Sequence, residues 1–204
     1  MMPYQVVRSF ERAIAEYAGS KHAVAVESCS AAIFLSCLWV GVKGKTVIIP
    51  ARTYPSVPAG IIHAGGRVEF HDRPWEGIYK LEPCNIWDGA LRFRRGMYQG
   101  GLHCLSFHAK KLIPVGRGGM ILTDDANAAA WLRLARFDGR EAVDISRQKE
   151  FTILGWNMYM QPEQAARGLL LFESLQHKEL ADLNVQEQGY PDLSRSQIYR
   201  EAQA

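Results

Sequence analysis

The feature that most constrains this chain is the alternation of short apolar runs with longer segments of helical rhythm. Short strand-like runs fall at residues 23–26, 46–49, 67–71, 85–87, 103–107 and 119–123, most of them apolar. None is long enough for a helix, and most are bounded by Gly, Pro, Ser or Asp, so each predicts a strand. Between them, Val6, Val7, Phe10, Ile14 and Tyr17 recur at helical spacing and stop at Gly19, which predicts a helix over 5–18. Further helices are predicted over 31–42, 57–64, from the Thr123-Asp124-Asp125 cap to about 137, and 162–176. Strands that are apolar throughout need cover on both faces. The pattern therefore predicts a three-layer α/β/α domain with a mostly parallel sheet.

The predicted domain spans 1–176, followed by a polar tail over 177–204 that either lacks order or docks on a neighbour. Over 204 residues the net charge is only +3, too mild to indicate nucleic-acid binding by itself. The charge is uneven, however. Residues 89–119 carry Arg92, Arg94, Arg95, Lys110, Lys111 and Arg117 without a single acid, so the middle of the chain can face an anion or form a solvated basic face. Cys29, Cys37, Cys84 and Cys104 show no CxxC spacing and no accompanying His cluster, which predicts free thiols and no metal site. The first twenty residues read as a charged amphipathic helix rather than a leader, and no apolar run reaches spanning length. A cytoplasmic protein without membrane association is the expectation.

Several polar residues sit where strands end or helices begin, the edge at which α/β sheets bind ligands. Asp88 follows one strand directly, and Ser106 lies near the end of another. Lys111 comes five residues after Ser106 and is followed by Gly116-Arg117-Gly118-Gly119. Ser28-Cys29-Ser30 opens a helix, where free N–H groups favour a phosphate, although the two serines can equally be a capping pair. Together these residues match the needs of pyridoxal phosphate (PLP): a phosphate cradle, an imine-forming lysine, a carboxylate for the pyridine nitrogen and a flat group over the ring. Tyr54 suits the last role and core packing about equally.

The order of these residues resembles a known family. Phe10-Glu11-Arg12 through Gly19, then residues 21–26, resemble the opening helix and strand of the DegT/DnrJ/EryC1/StrS sugar aminotransferases. Ser28-Cys29-Ser30-Ala31-Ala32-Ile33 resembles their Ser-Gly-Thr-x-Ala-Leu phosphate segment. Residues 47–54 resemble their Val-Ile-Val-Pro-x-x-Thr-aromatic turn. Ser106-Phe107-His108-Ala109-Lys110-Lys111 with Gly116 to Gly119 is similar to their Ser-Phe-x-x-x-Lys and Gly-x-Gly-Gly signature. Gly155-Trp156-Asn157-Met158-Tyr159-Met160 with Gln164-Ala165-Ala166 resembles their Gly-x-Asn-x-Arg-Met and Ala-Ala segment.

The resemblance implies a fold-type-I large domain in which Lys111 carries PLP and Asp88 pairs with the pyridine nitrogen. It implies that Tyr54 stacks on the ring and that Ser28, Cys29, Ser30 and Ser106 bind the phosphate. Asn157 would reach the phosphate of a partner subunit's cofactor, in a homodimer with shared sites. The departures are Leu91 where the family usually has Gln or His, Cys29 for its Gly, and Tyr159 for its Arg. The chain also stops where the family continues into a small C-terminal domain, so a reduced form is expected.

The activity the resemblance implies is transfer of an amino group from an amino acid to a keto sugar nucleotide or similar small anion. Two alternatives stand beside it. One is a PLP-dependent decarboxylase or lyase acting on an amino-acid-derived group, even on a modified nucleotide or DNA base that the basic segment would attract. The other is an inactive PLP-fold regulatory or binding subunit.

Overall fold

A computed structural model describes residues 4–202. The first helix, α1 (Gln5–Ala18), buries Val7, Phe10, Ile14 and Tyr17 along one stripe, as the spacing requires. It ends at Gly19, whose φ of 86° lets its N–H return to the Ala15 carbonyl. Next come β1 (His22–Val26), α2 (Cys29–Val40), β2 (Thr46–Pro50), α3 (Ser56–His63) and β3 (Arg67–His71). The second half adds β4 (Tyr79–Leu81), β5 (Ile86–Asp88), β6 (Leu102–Ser106), β7 (Gly119–Thr123), α4 (Ala126–Ala135), α5 (Pro162–Leu175) and α6 (Gln197–Glu201).

The three layers are those expected, but the strand directions are not. The main sheet runs β1-β7-β6-β5-β4, and of its pairings only β5 with β6 is parallel. β2 and β3 form a separate parallel pair. Ile48 and Glu82 join this pair to the chain just beyond β4 through two backbone bonds of 2.7 and 3.1 Å. The expected mostly parallel sheet is therefore a mixed sheet with mostly antiparallel pairings. The reason lies in the connections. β4 turns into β5 through four residues, and β6 turns into β7 through the Lys111 loop, with no crossover helix in either. Burial gives no warning of this. All five residues of β7 are buried, as in a parallel strand, because helices cover both faces.

Alternate strand residues divide between two cores. Val24, Val26, Ile86, Cys104 and Ile121 pack beneath α2, α3 and α4. Ala23, Ala25, Leu105, Met120 and Leu122 point to the other face, beneath α1 and α5. The helices of that second layer approach closely at Gly168, where a Cβ would stand 2.6 Å from the Phe10 ring. Glu11, buried in the same layer, takes bonds from Arg136 at 2.5 Å and from the Ala25 N–H at 2.8 Å, tying α1, β1 and the end of α4 together. The four cysteines are free thiols. Among the described residues there is no cluster of metal-binding side chains and no helix long and apolar enough to cross a membrane.

The segment after α5 folds back across the domain. Asp182 meets Arg92, and the Leu183 N–H bonds the Leu91 carbonyl at 2.9 Å. Leu91 is fully buried, so the position where the family usually carries a polar residue is core here. Beyond Gly189, Asp192 bridges Arg52, and the buried Leu193 donates its N–H to the Ala51 carbonyl.

Candidate active site

The site is built where α2 begins, β5 and β6 end, and the β6–β7 loop returns. Ser28 is the N-cap of α2, and its Oγ accepts the Ala31 N–H at 3.1 Å. A helix start leaves its first N–H groups without intrahelical partners, so those of Cys29 and Ser30 are placed for an anion. The Ser30 hydroxyl bonds the Ser56 hydroxyl at 2.6 Å, which fixes α2 against α3. Gly119 makes this arrangement possible. A Cβ there would lie 2.4 Å from the Ser28 carbonyl carbon and 2.6 Å from the Cys29 nitrogen, so β7 can run against the helix start only with glycine.

Asp88, the last residue of β5, is 3% exposed. One carboxylate oxygen accepts the Ala90 N–H at 3.0 Å, and the other accepts the Tyr79 hydroxyl at 2.9 Å. Tyr79 in turn lies 2.6 Å from the buried Thr53 hydroxyl. Burial raises the Asp88 carboxyl above its ordinary range, while the Ala90 N–H, Tyr79 and Lys111 draw it partly back. Tyr79 was not singled out in the sequence. Its signal was only an aromatic residue a few positions before the strand that ends in Asp88.

Lys111 lies in the 107–118 loop, which is closed by mutual backbone bonds between Phe107 and Gly116 or Gly118. Burial lowers its ammonium from the usual lysine value, against the favourable pull of Asp88 and Cys29. Burial pushes the Cys29 thiol well up, reinforced by Asp88 and opposed by Lys111. Lys111 and Cys29 each feel the other and Asp88, and Asp88 feels Lys111, so the sequence-predicted lysine, carboxylate and helix start lie in one region.

The other sequence-predicted residues divide. Ser106 ends β6, with its Oγ 3.4 Å from the His108 N–H. Tyr54 is 57% exposed beside this region rather than in the core, and its ring meets Tyr190 edge-on. Asn157 is exposed, with its amide 3.3 Å from Asp138, in a segment whose Met158 carbonyl accepts the Glu27 N–H at 2.8 Å, one residue before Ser28. Three of the six bases in the basic segment are engaged within the chain: Arg92 pairs with Asp182 at 2.5 Å, Arg117 with Glu27 at 2.6 Å, and Arg95 lies over the Tyr17 ring.

The residues present fit PLP. Asp88 is a buried carboxylate whose two hydrogen bonds leave a lone pair on each oxygen, so it can still accept from a charged ring nitrogen. The α2 start and Ser106 supply donors, and Lys111 is a partly buried amine within the field of Asp88.

The chain is 29% identical over 210 positions to GDP-perosamine synthase of Caulobacter vibrioides and 28% identical over 216 to the spore coat polysaccharide biosynthesis protein SpsC of Bacillus subtilis. Each match takes in 80% of this chain and 55% of the relative, so the chain spans about half the length of these curated relatives. Because 80% of 204 residues is about 163, the 210 positions of the first match include stretches of the relative without counterpart here. The fold matches the crystal structure of 3-amino-5-hydroxybenzoic acid synthase with a TM-score of 0.71 at 22% identity, over 83% of this chain and 56% of that one. A DegT DnrJ EryC1 StrS aminotransferase from Brucella abortus gives 0.70 at 20% identity, over 84% and 59%. The family model matches residues 1–77 and 94–182, leaving the β4–β5 hairpin with Asp88 between its two blocks. Matched over most of its length, the chain belongs to the DegT/DnrJ/EryC1/StrS aminotransferase family.

Proposed function

We propose that this chain forms the cofactor-binding part of a PLP-dependent aminotransferase, which moves an amino group from an amino acid to a keto sugar nucleotide or a similar small anion. Enzymes of this family depend on PLP. The observation that carries the reading is the meeting of Lys111, Asp88 and the start of α2 at one end of the sheet.

When bound, PLP supplies a reactive carbonyl carbon conjugated to an electron-withdrawing ring. Asp88 would hold the positive charge on the ring nitrogen, and the Thr53–Tyr79 pair keeps its carboxylate aimed. Ser28, Cys29, Ser30 and Ser106 would take the phosphate. Tyr54, exposed beside the site, would cover the ring. Lys111 would carry the cofactor and, with its ammonium lowered by burial, could give and take a proton at Nζ. Asn157, exposed and bonded to Asp138, would serve the cofactor phosphate of a second subunit in a homodimer, as the family resemblance implies. The perosamine and SpsC relatives support a sugar as acceptor. The intramolecular pairing of Arg92, Arg95 and Arg117 leaves less free positive charge for a nucleic-acid substrate than the sequence suggested.

The test is the visible spectrum of the protein with added PLP beside Lys111→Ala. A band that borohydride bleaches, present in the parent and absent in the variant, supports the reading. Its conversion by glutamate distinguishes amino transfer from lyase chemistry. Free-PLP spectra from both proteins refute the reading and favour the regulatory alternative.

A further inference from the structure

The segment that follows Gly189 lies along residues 51–55, the turn after β2 that forms one wall of the site. Backbone bonds, a buried anchor and a terminal tyrosine seat it there. Asp192 forms a β-bridge with Arg52, and the Leu193 N–H bonds the Ala51 carbonyl at 2.9 Å. The Leu193 side chain is 3% exposed, so the segment is anchored in the core. Further on, the Tyr199 hydroxyl donates to the Pro55 carbonyl at 3.1 Å, and its ring packs edge-on against Phe70 on β3.

This seating delivers one side chain to the site. The Tyr190 ring lies nearly parallel to Trp75, with centroids 6.4 Å apart and planes 9° apart. It also meets Tyr54 edge-on at 6.3 Å. Trp75 itself packs on Tyr79, the residue that holds Asp88, with centroids 4.6 Å apart. Burial raises the Tyr190 phenol well above its ordinary range, and the Asp88 carboxylate and Cys29 thiol add to the shift. A residue more than 100 positions from Asp88 in sequence is thus within its electrostatic reach.

We propose that residues 190–199 are a cover for the cofactor end of the sheet, and that Tyr190 is a specificity-determining residue that limits what passes between Tyr54, Trp75 and Asp88. The proposal rests on the reading of this site as the PLP site. Three aromatic side chains from three separate stretches of chain form the rim, and only Tyr190 is carried by a segment outside the α/β layers. Leu193 is the anchor that holds it in place. With the ring present, a cofactor or a compact amino acid must slip past an ordered aromatic wall. With the ring removed, the entrance widens on the side of Tyr54.

The experiment compares the full chain with Tyr190→Ala, Leu193→Asp and Tyr190→Phe. The first readout needs no cofactor. It is acrylamide quenching of Trp75 fluorescence, isolated by subtracting the signal of matched Trp75→Phe proteins. The second is the rate at which bound PLP is lost after dilution into a trap. Tyr190→Ala and Leu193→Asp are expected to raise the quenching constant about twofold and to speed PLP loss about tenfold, which corresponds to the loss of one or two aromatic contacts. Tyr190→Phe keeps the ring and should stay at parent values. Parent-like quenching in both Tyr190→Ala and Leu193→Asp overturns the cover, and parent-like PLP loss in Tyr190→Ala overturns the role of Tyr190. If the parent takes up no PLP, the cofactor reading fails while quenching still decides whether the cover exists.

Discussion

Tyr79→Phe tests the site at its most exacting point. The substitution keeps the ring, which is 5% exposed and packed on Trp75, and removes one oxygen. That oxygen donates to Asp88 at 2.9 Å and bonds Thr53 at 2.6 Å. A hydrogen bond to a charged group contributes about 1.5–3 kcal/mol, and the buried Thr53 hydroxyl loses its partner as well. A loss of about 2 kcal/mol is expected at neutral pH, which for a chain of this size is a fall of about 4–8 °C in Tm. The pH dependence identifies the cause. Asp88 has a folded pKa above its unfolded value, so its contribution to stability is complete below the unfolded pKa and lost as pH rises through the folded one. Tyr79 favours the ionised carboxylate and limits that loss, so removing it raises the folded pKa further. The gap between parent and variant should therefore be small near pH 4 and widen towards pH 8. Urea unfolding of the PLP-free proteins across that range measures it. A gap that is constant with pH, or absent at pH 8, would refute the claim that Tyr79 supports a charged Asp88.

Two other substitutions probe the frame around the site. Gly119→Ala forces a Cβ against the Ser28 and Cys29 backbone, so it should cost about 2–3 kcal/mol in urea unfolding and weaken PLP uptake together. Unchanged stability would mean that the α2 start is not held by β7. Arg136→Ala leaves the buried Glu11 carboxylate without its countercharge and should cost about 3–5 kcal/mol, read from the shift in urea midpoint, with PLP affinity per folded molecule unchanged.

Sequence reading singled out Lys111, Asp88 and the α2 start as candidates because each depends on local punctuation: a strand end, a helix cap, a glycine run. The elements follow for the same reason, as with β3 and β7, whose limits match the predicted strands at 67–71 and 119–123. Strand direction was not legible. The β7 run Gly119-Met120-Ile121-Leu122-Thr123 is buried throughout, and a strand covered on both faces looks the same whichever way its neighbours run. Tyr79 and the three-residue strand β4 were missed because Tyr-Lys-Leu is too short to show a period. Tyr190 was missed because it lies in a polar segment, and its placement comes from Leu193 and backbone bonds to residues 51–52, pairings that no local pattern encodes.

The hairpin that carries Asp88 shows why the site can be retained while the sequence around it departs from the family model. Asp88 is useful only if β5 ends level with the start of α2 and near the Lys111 loop. That level is set by β6, against which Ile86, Trp87 and Asp88 register with Leu102, His103 and Cys104. What leads into β5 is not fixed by the same requirement. Here the lead-in is β4, antiparallel to β5, and the register that pairs Tyr79 with Asp88 across the two strands brings the phenol to the carboxylate. The stretch unmatched by the family model thus supplies both the buried acid and the group that orients it.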